Sequence, residues 1–296
     1  MNKERGFTLV ELVIVIMVTG IIAGIFAMQF GPALQNYLAV GRRANLTHMA
    51  DTALRRMVAE IHTAVPNSLR LLPAQSANGA SCLEMVPSSD GGRFRTAADT
   101  QWDQANPGIP SKWIDLTQPT SAFDVLTPFS TTPAQGDWVV IGNQNTADVY
   151  TGLSRGQVET VTTPPASLGI SRITLHQPKQ FPYGYEGGRF YIVPNTLQAV
   201  TYMCSALAQD GSRTLTRIVG YGFNGTQTCP VTTGSDAIYP GGKSAIVSTK
   251  VGNCNFAYDP SQGATAQSGF AQLQLTLTDN GETVTLTVGS QVENMP

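Results

Sequence analysis

The chain has 296 residues, 42% of them hydrophobic but only 13% charged, with a net charge of −2. That hydrophobic share excludes a disordered chain, and the polar remainder excludes a polytopic membrane protein. Without a basic surplus there is no surface for phosphate-backbone contacts, which excludes a nucleic-acid partner.

Lys3 and Arg5 open the chain, and an apolar run follows that is interrupted once, by Glu11. No charged side chain occurs from Leu12 to Gly41. As an α-helix, Phe7 to Phe30 spans roughly 36 Å, enough to cross a hydrocarbon core of about 30 Å. A removable signal peptide is disfavoured, because the run is too long and no small-residue cleavage site follows it before Gln29. Cations flank both sides, Lys3 and Arg5 before, Arg42 and Arg43 after, so they do not orient the span by themselves. A short tail kept in the cytoplasm leaves the bulk of the chain outside, on a single anchor. Within that anchor a carboxylate at helix depth costs about 2.5–3.5 kcal/mol on insertion scales. Glu11 is therefore either an interfacial acid near the cytoplasmic face or half of a pair.

The helical pattern continues past the apolar run. Leu34, Leu38, Leu46, Ala50, Leu54, Met57, Val58, Ile61 and Val65 recur at three- or four-residue steps, apart from one longer interval around Gly41. Arg42, Arg43, Asp51, Arg55, Arg56 and Glu60 lie between them. The prediction is one long helix over residues 7–66, spanning at 7–30 and amphipathic at 31–66, ended by Pro66. Gly31-Pro32 inside it predicts a kink or local melting. An apolar stripe of this kind must lie on something.

Residues 67–296 read as one β-rich globular domain. Strands are predicted at Ser81–Val86, Trp138–Gly142, Val158–Thr162, Ile170–Leu175, Phe190–Val193, Ala199–Cys204, Thr214–Tyr221 and Ile246–Val251, with Gly- and Pro-rich loops at Ser88–Pro110 and Phe181–Gly188. A C-terminal hairpin follows from alternation and turn chemistry. Gln272–Val288 alternates strictly, with Leu273, Leu275 and Leu277, then Val284, Leu286 and Val288, on one face. Asp279-Asn280-Gly281 supplies the hairpin turn. That apolar face can cover the stripe of Leu46 to Val65, an α+β layering.

Cys82, Cys204, Cys229 and Cys254 are candidates for disulfides in an oxidising compartment; four cysteines allow three pairings, and the spacing does not choose. No Cys/His spacing suits a metal. Gly220-Tyr221-Gly222-Phe223-Asn224-Gly225 matches a dinucleotide fingerprint but opens no helical pattern, so it reads as a turn. Gly152-Leu153-Ser154-Arg155-Gly156 matches a nucleophile elbow but is followed by a strand pattern, so it reads as a hairpin turn. Gly242-Lys243-Ser244 ends like a phosphate loop, with Ala237 where the first glycine belongs. His48, His62 and His176 have no partner at triad spacing, and Trp102, Trp113, Tyr183 and Tyr185 read as anchors of long loops, the alternative being a sugar- or partner-contacting surface. No catalytic residue and no cofactor site emerges.

The segment Gly6-Phe7-Thr8-Leu9-Val10-Glu11, with cations before it and a spanning apolar run after it, resembles the leader of type IV prepilins and type II secretion pseudopilins. The resemblance implies a pilin-like fold, with the long helix packed on an antiparallel β-rich domain. It also implies a six-residue leader, cut by a prepilin peptidase between Gly6 and Phe7, and N-methylation of Phe7. Glu11 would then act in subunit assembly, neutralising its own new amino terminus or that of the next subunit. The implied partners are the peptidase, other minor and major pilins, the inner-membrane assembly platform and the membrane itself. Scattered stretches, among them "CLEMVP", "LTRIVGYG" and "NCNFAYDP", resemble the biogenesis proteins of mannose-sensitive haemagglutinin pili. The expectation is a minor pilin anchored in the inner membrane, with its body in the periplasm, that is later incorporated near the tip of a surface pilus. Alternatives are a minor pseudopilin and, from another class, a membrane-anchored periplasmic enzyme or sugar-binding adhesin.

Overall fold

In the computed structural model residues 7–76, 78–183, 187–229, 241–262 and 268–294 are described. Along the chain, α1 (Leu9–His62) leads to β1 (Arg70–Leu72), β2 (Ser81–Met85), β3 (Asp90–Arg93), α2 (Thr100–Ala105), β4 (Thr120–Val125), β5 (Trp138–Val140) and α3 (Thr146–Thr151). Then follow β6 (Arg155–Thr162), β7 (Ser171–Lys179), β8 (Arg189–Val193), β9 (Val200–Cys204), β10 (Arg213–Val219), β11 (Lys243–Gln262), β12 (Ser268–Asp279) and β13 (Glu282–Glu293).

The long helix forms as its periodicity predicts, with two corrections. It stops at His62 rather than at Pro66, because Ala64 bridges to Pro87 and the Val65 N–H donates to the Val86 carbonyl. The chain is drawn into strand pairing before proline can end the helix. Nor does the backbone melt at Gly31-Pro32; the helix assignment is continuous there, since the fixed φ of proline is itself helical.

Seven strands form one antiparallel sheet in the order β1-β2-β9-β10-β11-β12-β13. The hairpin is as predicted: Asp279 pairs with Glu282, and Asn280 and Gly281 take φ of 46° and 82°, a two-residue turn with both central residues left-handed. On its inner face Leu273, Leu275 and Leu277 are buried against Leu46, Ala50, Leu54, Met57 and Ile61 of α1. Its outer face is a threonine ladder, with the Thr276 and Thr285 hydroxyls 2.9 Å apart.

The strands between β2 and β9 leave this sheet. They form a second antiparallel sheet in the order β3-β8-β5-β6-β7-β4. A bridge between Phe94 and Val125, flanked by N–H donation from Leu126 to Arg93 and from Arg95 to Asp124, joins its two ends into a six-stranded barrel. Closure removes the edges that an open sheet would expose. Phe123, Val139, Val158, Ile173, Phe190 and Ile192 fill its interior. The barrel is thus an excursion from the main sheet, whose β2 and β9 pair directly from Ser81↔Cys204 to Met85↔Val200.

Between barrel and sheet lies a third cluster, in which Cys82, Met203 and Ile218 meet Val140, Val149, Tyr150 and Val193. β2 and β9 are consequently buried at every position, with α1 on one face and the barrel on the other. Two glycines allow the barrel to close at β3: a Cβ on Gly91 would lie 2.7 Å from the Phe190 carbonyl oxygen, and one on Gly92 2.2 Å from Thr127 Oγ1.

Candidate functional site

The candidate site is the part of α1 that leaves the body. Among the described side chains Leu46 is the first buried one, and all those before Leu38 are solvent-exposed. From Leu9 to Asn45 the protruding arm measures roughly 55 Å. Consecutive apolar residues from Leu12 to Val18 all lie open, so the arm is greasy around its whole circumference. A helix apolar on every side is stable only when surrounded by lipid or by other apolar helices. Its one hydroxyl in mid-run, Thr19, donates back to the Val15 carbonyl at 2.7 Å and leaves no polar group unsatisfied there. This is the only described helix long and apolar enough to cross a membrane.

Charged pairs surround the base of the arm. Arg43 forms an ion pair with Glu282 at the hairpin tip, and Lys250 holds the adjacent Asp279 at 2.7 Å. Beside it, the Arg42 guanidinium is half-buried, and its Nε has no hydrogen-bond partner among the described residues.

At the far end, Thr8 caps the helix, accepting the Glu11 N–H on its Oγ1 at 3.3 Å. Thr8-Leu9-Val10-Glu11 has the spacing of a capping box, in which the N3 acid returns a bond to the cap. Here only the threonine half forms. The Glu11 carboxylate is exposed, and it makes no hydrogen bond or ion pair among the described residues. Its position in the first turn suits the positive end of the helix dipole. This cap was readable from sequence but is masked there by the hydrophobic run. Phe7 lies one residue outside the cap, with no helical geometry, so Phe7 and Glu11 do not share a helical face. Gly6 and the rest of the leader lie outside the described residues.

Both disulfides are formed: Cys82–Cys229 ties β2 to the loop after β10, and Cys204–Cys254 ties β9 to β11. They staple the sheet on which α1 lies, and the first of them also faces the barrel.

The chemically suggestive motifs serve packing. Gly220 to Gly225 is a loop, and the Asn224 and Gly225 carbonyls accept from the Arg70 guanidinium at 2.7 and 3.1 Å. Arg70 also donates to Glu84 at 2.7 Å and stacks 3.5 Å from the Tyr150 ring centroid. Glu84 is 1% exposed and receives the Tyr221 hydroxyl at 2.8 Å as well, a satisfied buried network. The Gly152–Gly156 motif is not a hairpin turn: Gly152, at φ 92°, terminates α3 and the strand β6 starts at Arg155. Ser154 is fully buried and donates to Asn143 Oδ1 at 2.8 Å, which places no nucleophile at a surface. Lys243 and Ser244 begin β11, while Ala237 lies outside the described residues. His48 and His62 sit on α1 and His176 on β7, where its Nδ1 lies 2.7 Å from Glu159 Oε2. Trp102 donates to the Ile109 carbonyl at 2.8 Å and anchors its own loop; Tyr183 is exposed, and Tyr185 lies outside the described residues. No cluster of His, Cys, Asp or Glu among the described residues is arranged to hold a metal.

Compared with known families, residues 1–27 match the prokaryotic N-terminal methylation motif. No curated protein and no solved structure matches the chain. The motif covers the cation-flanked leader, Glu11 and the first half of the protruding arm, and it supports a pilin-like or pseudopilin-like chain that prepilin peptidase processes.

Proposed function

We infer that the chain is a minor pilin: a non-enzymatic subunit, processed at Gly6–Phe7 and methylated on Phe7, that helps to initiate or cap a type IV pilus. The observation that carries this reading is the naked arm with its lone unpaired carboxylate in the first turn. An apolar rod satisfies lipid and a bundle of like rods equally well. Glu11 does not: in lipid it is a cost, and beside the new ammonium of a neighbouring subunit it becomes one half of an ion pair in low dielectric. The acid therefore sets the register in which arms stack.

The size of the body supports a position at the tip. A barrel on the side of the sheet away from α1 adds bulk that a densely repeated shaft subunit would have to accommodate around every arm. Resemblance of scattered stretches to the biogenesis protein MshO supports a pilus of the mannose-sensitive haemagglutinin type. In this reading the arm anchors the chain in the inner membrane, with the disulfide-bonded body in the periplasm, before assembly draws it into the filament.

The test combines processing with recruitment. Mass spectrometry of the protein extracted from membranes should find a methylated Phe7 start only when a cognate peptidase is present. Glu11→Val should be processed normally yet be missing from sheared filaments. Normal incorporation of Glu11→Val would remove the assembly role, and exclusive recovery with secretion-system subunits would assign a pseudopilin instead.

A further inference from the structure

The outer wall of the barrel, where β5, β6 and β7 run side by side, holds a cavity of about 300 Å³, at the lower end of small-molecule sites. Trp138, Arg155, Gln157, His176 and Lys179 line it. Its charge is unbalanced. Arg155 and Lys179 form no ion pair with a carboxylate among the described residues; each is held by a backbone carbonyl instead, Arg155 by Val149 and Lys179 by Gly152 at 2.7 Å. The Arg155 guanidinium lies over the Phe223 ring at 4.2 Å and near Trp138 at 5.1 Å, and its Nε is buried without a partner. Among the described residues no carboxylate lines the cavity; Glu159, on the same wall, pairs with His176 at its rim.

The local sequence builds this arrangement. Gly152 takes a left-handed φ that turns its carbonyl to Lys179, and a Cβ there would meet Arg155 Nη1 at 3.4 Å. Burial holds the Arg155 guanidinium below its usual range; burial first, and then the charge of Arg155, do the same to the Lys179 ammonium. Two cations kept together and partly out of water, each with N–H groups to spare, form a receptor for an oxyanion. Beside them Gln157, whose amide nitrogen donates one N–H to the Gly136 carbonyl at 3.2 Å, and Gln177 keep amide groups that can exchange hydrogen bonds with hydroxyls.

We propose that this cavity binds an acidic saccharide, one pyranose ring whose carboxylate lies between Arg155 and Lys179. The site belongs to the barrel and is independent of the arm.

Isothermal titration calorimetry on the full chain in detergent tests this with glucuronate, glucose and inorganic sulfate as probes. Glucuronate should bind with an affinity that falls as salt rises, and glucose should give no heat. Lys179→Gln and Arg155→Gln should each weaken glucuronate by about tenfold or more, the scale of one charged hydrogen bond. Arg155→Gln also removes a packing contact, so Lys179→Gln, with thermal unfolding unchanged, is the deciding variant. Absence of heat from glucuronate at millimolar concentration, or unchanged affinity in Lys179→Gln, overturns the site. Sulfate binding as tightly as glucuronate overturns the saccharide and leaves an adventitious ion only.

Discussion

The strongest structural claim is that α1 has two physically different halves, one part of the fold and the other not, and paired truncations separate them. Leu54 is 0% exposed between α1 and the hairpin, while Leu34 on the arm is 60% exposed. Leu54→Ala removes about three methylene equivalents at ~0.8 kcal/mol each. The cavity term brings the loss to about 3–4 kcal/mol, within the range for buried leucines. For a body of this size each kcal/mol moves the midpoint by roughly 2–4 °C, so a fall on the order of 6–16 °C follows. Leu34→Ala leaves no cavity in a packed core and should stay within about 0.5 kcal/mol of the parent. Circular dichroism melts of the full chain in one detergent, with both disulfides oxidised, give the comparison. If Leu54→Ala melts no lower than Leu34→Ala, the helix stripe is not core and the layering of helix on sheet is wrong.

Further outcomes follow from the same geometry. A non-reduced peptide map should recover Cys82 with Cys229 and Cys204 with Cys254; any other pairing contradicts the sheet order. Replacing Cys204 and Cys254 together by Ser releases a loop with a sequence separation of 50, for which chain entropy gives a loss of about 4 kcal/mol, read as a lower urea midpoint. Glu84→Gln leaves the Arg70 charge buried without its counterion and should cost about 3 kcal/mol, whereas Asp51→Asn, in an exposed pair with Arg55, should leave the midpoint unmoved in the same titration. Tyr202 and Tyr221 are held protonated chiefly by burial, their ionisation pushed above the usual tyrosine range. The unfolded chain releases these protons above about pH 10 while the folded chain keeps them, so stability falls with rising pH there by about 1.4 kcal/mol per unit for each, and is unaffected below. A loss of stability above about pH 10 that is just as steep in the Tyr202→Phe, Tyr221→Phe double variant would contradict this.

Several features were legible because they are written locally. The hairpin from Ser268 to Glu293 announces itself by alternation and by Asn280-Gly281, since one of its faces is buried and the other wet. The stripe on α1 is legible for the same reason. By contrast, β3 reads Asp90-Gly91-Gly92-Arg93 and carries no hydrophobic pattern; it is a strand only because Phe190 passes close by. The short helix α2 buries no side chain and rests on its cap from Asp99, inside the Ser88–Pro110 stretch read as loop, while α3 joins the Asn145–Asp148 capping box to the buried Val149 and Tyr150.

The sequence alone determined the arm, its exposed acid, the stripe and the sheet surface that covers it, because each is a periodicity or a composition that a neighbour within a few residues completes. Only the tertiary structure decided that β2 pairs with β9 across an inserted barrel, that Phe94 meets Val125 to close it, which cysteines bond, and that Arg155 and Lys179 share one cavity. Those outcomes join residues far apart in the chain, and strands buried on both faces, as β2 and β9 are, lose the alternation that would identify their partners.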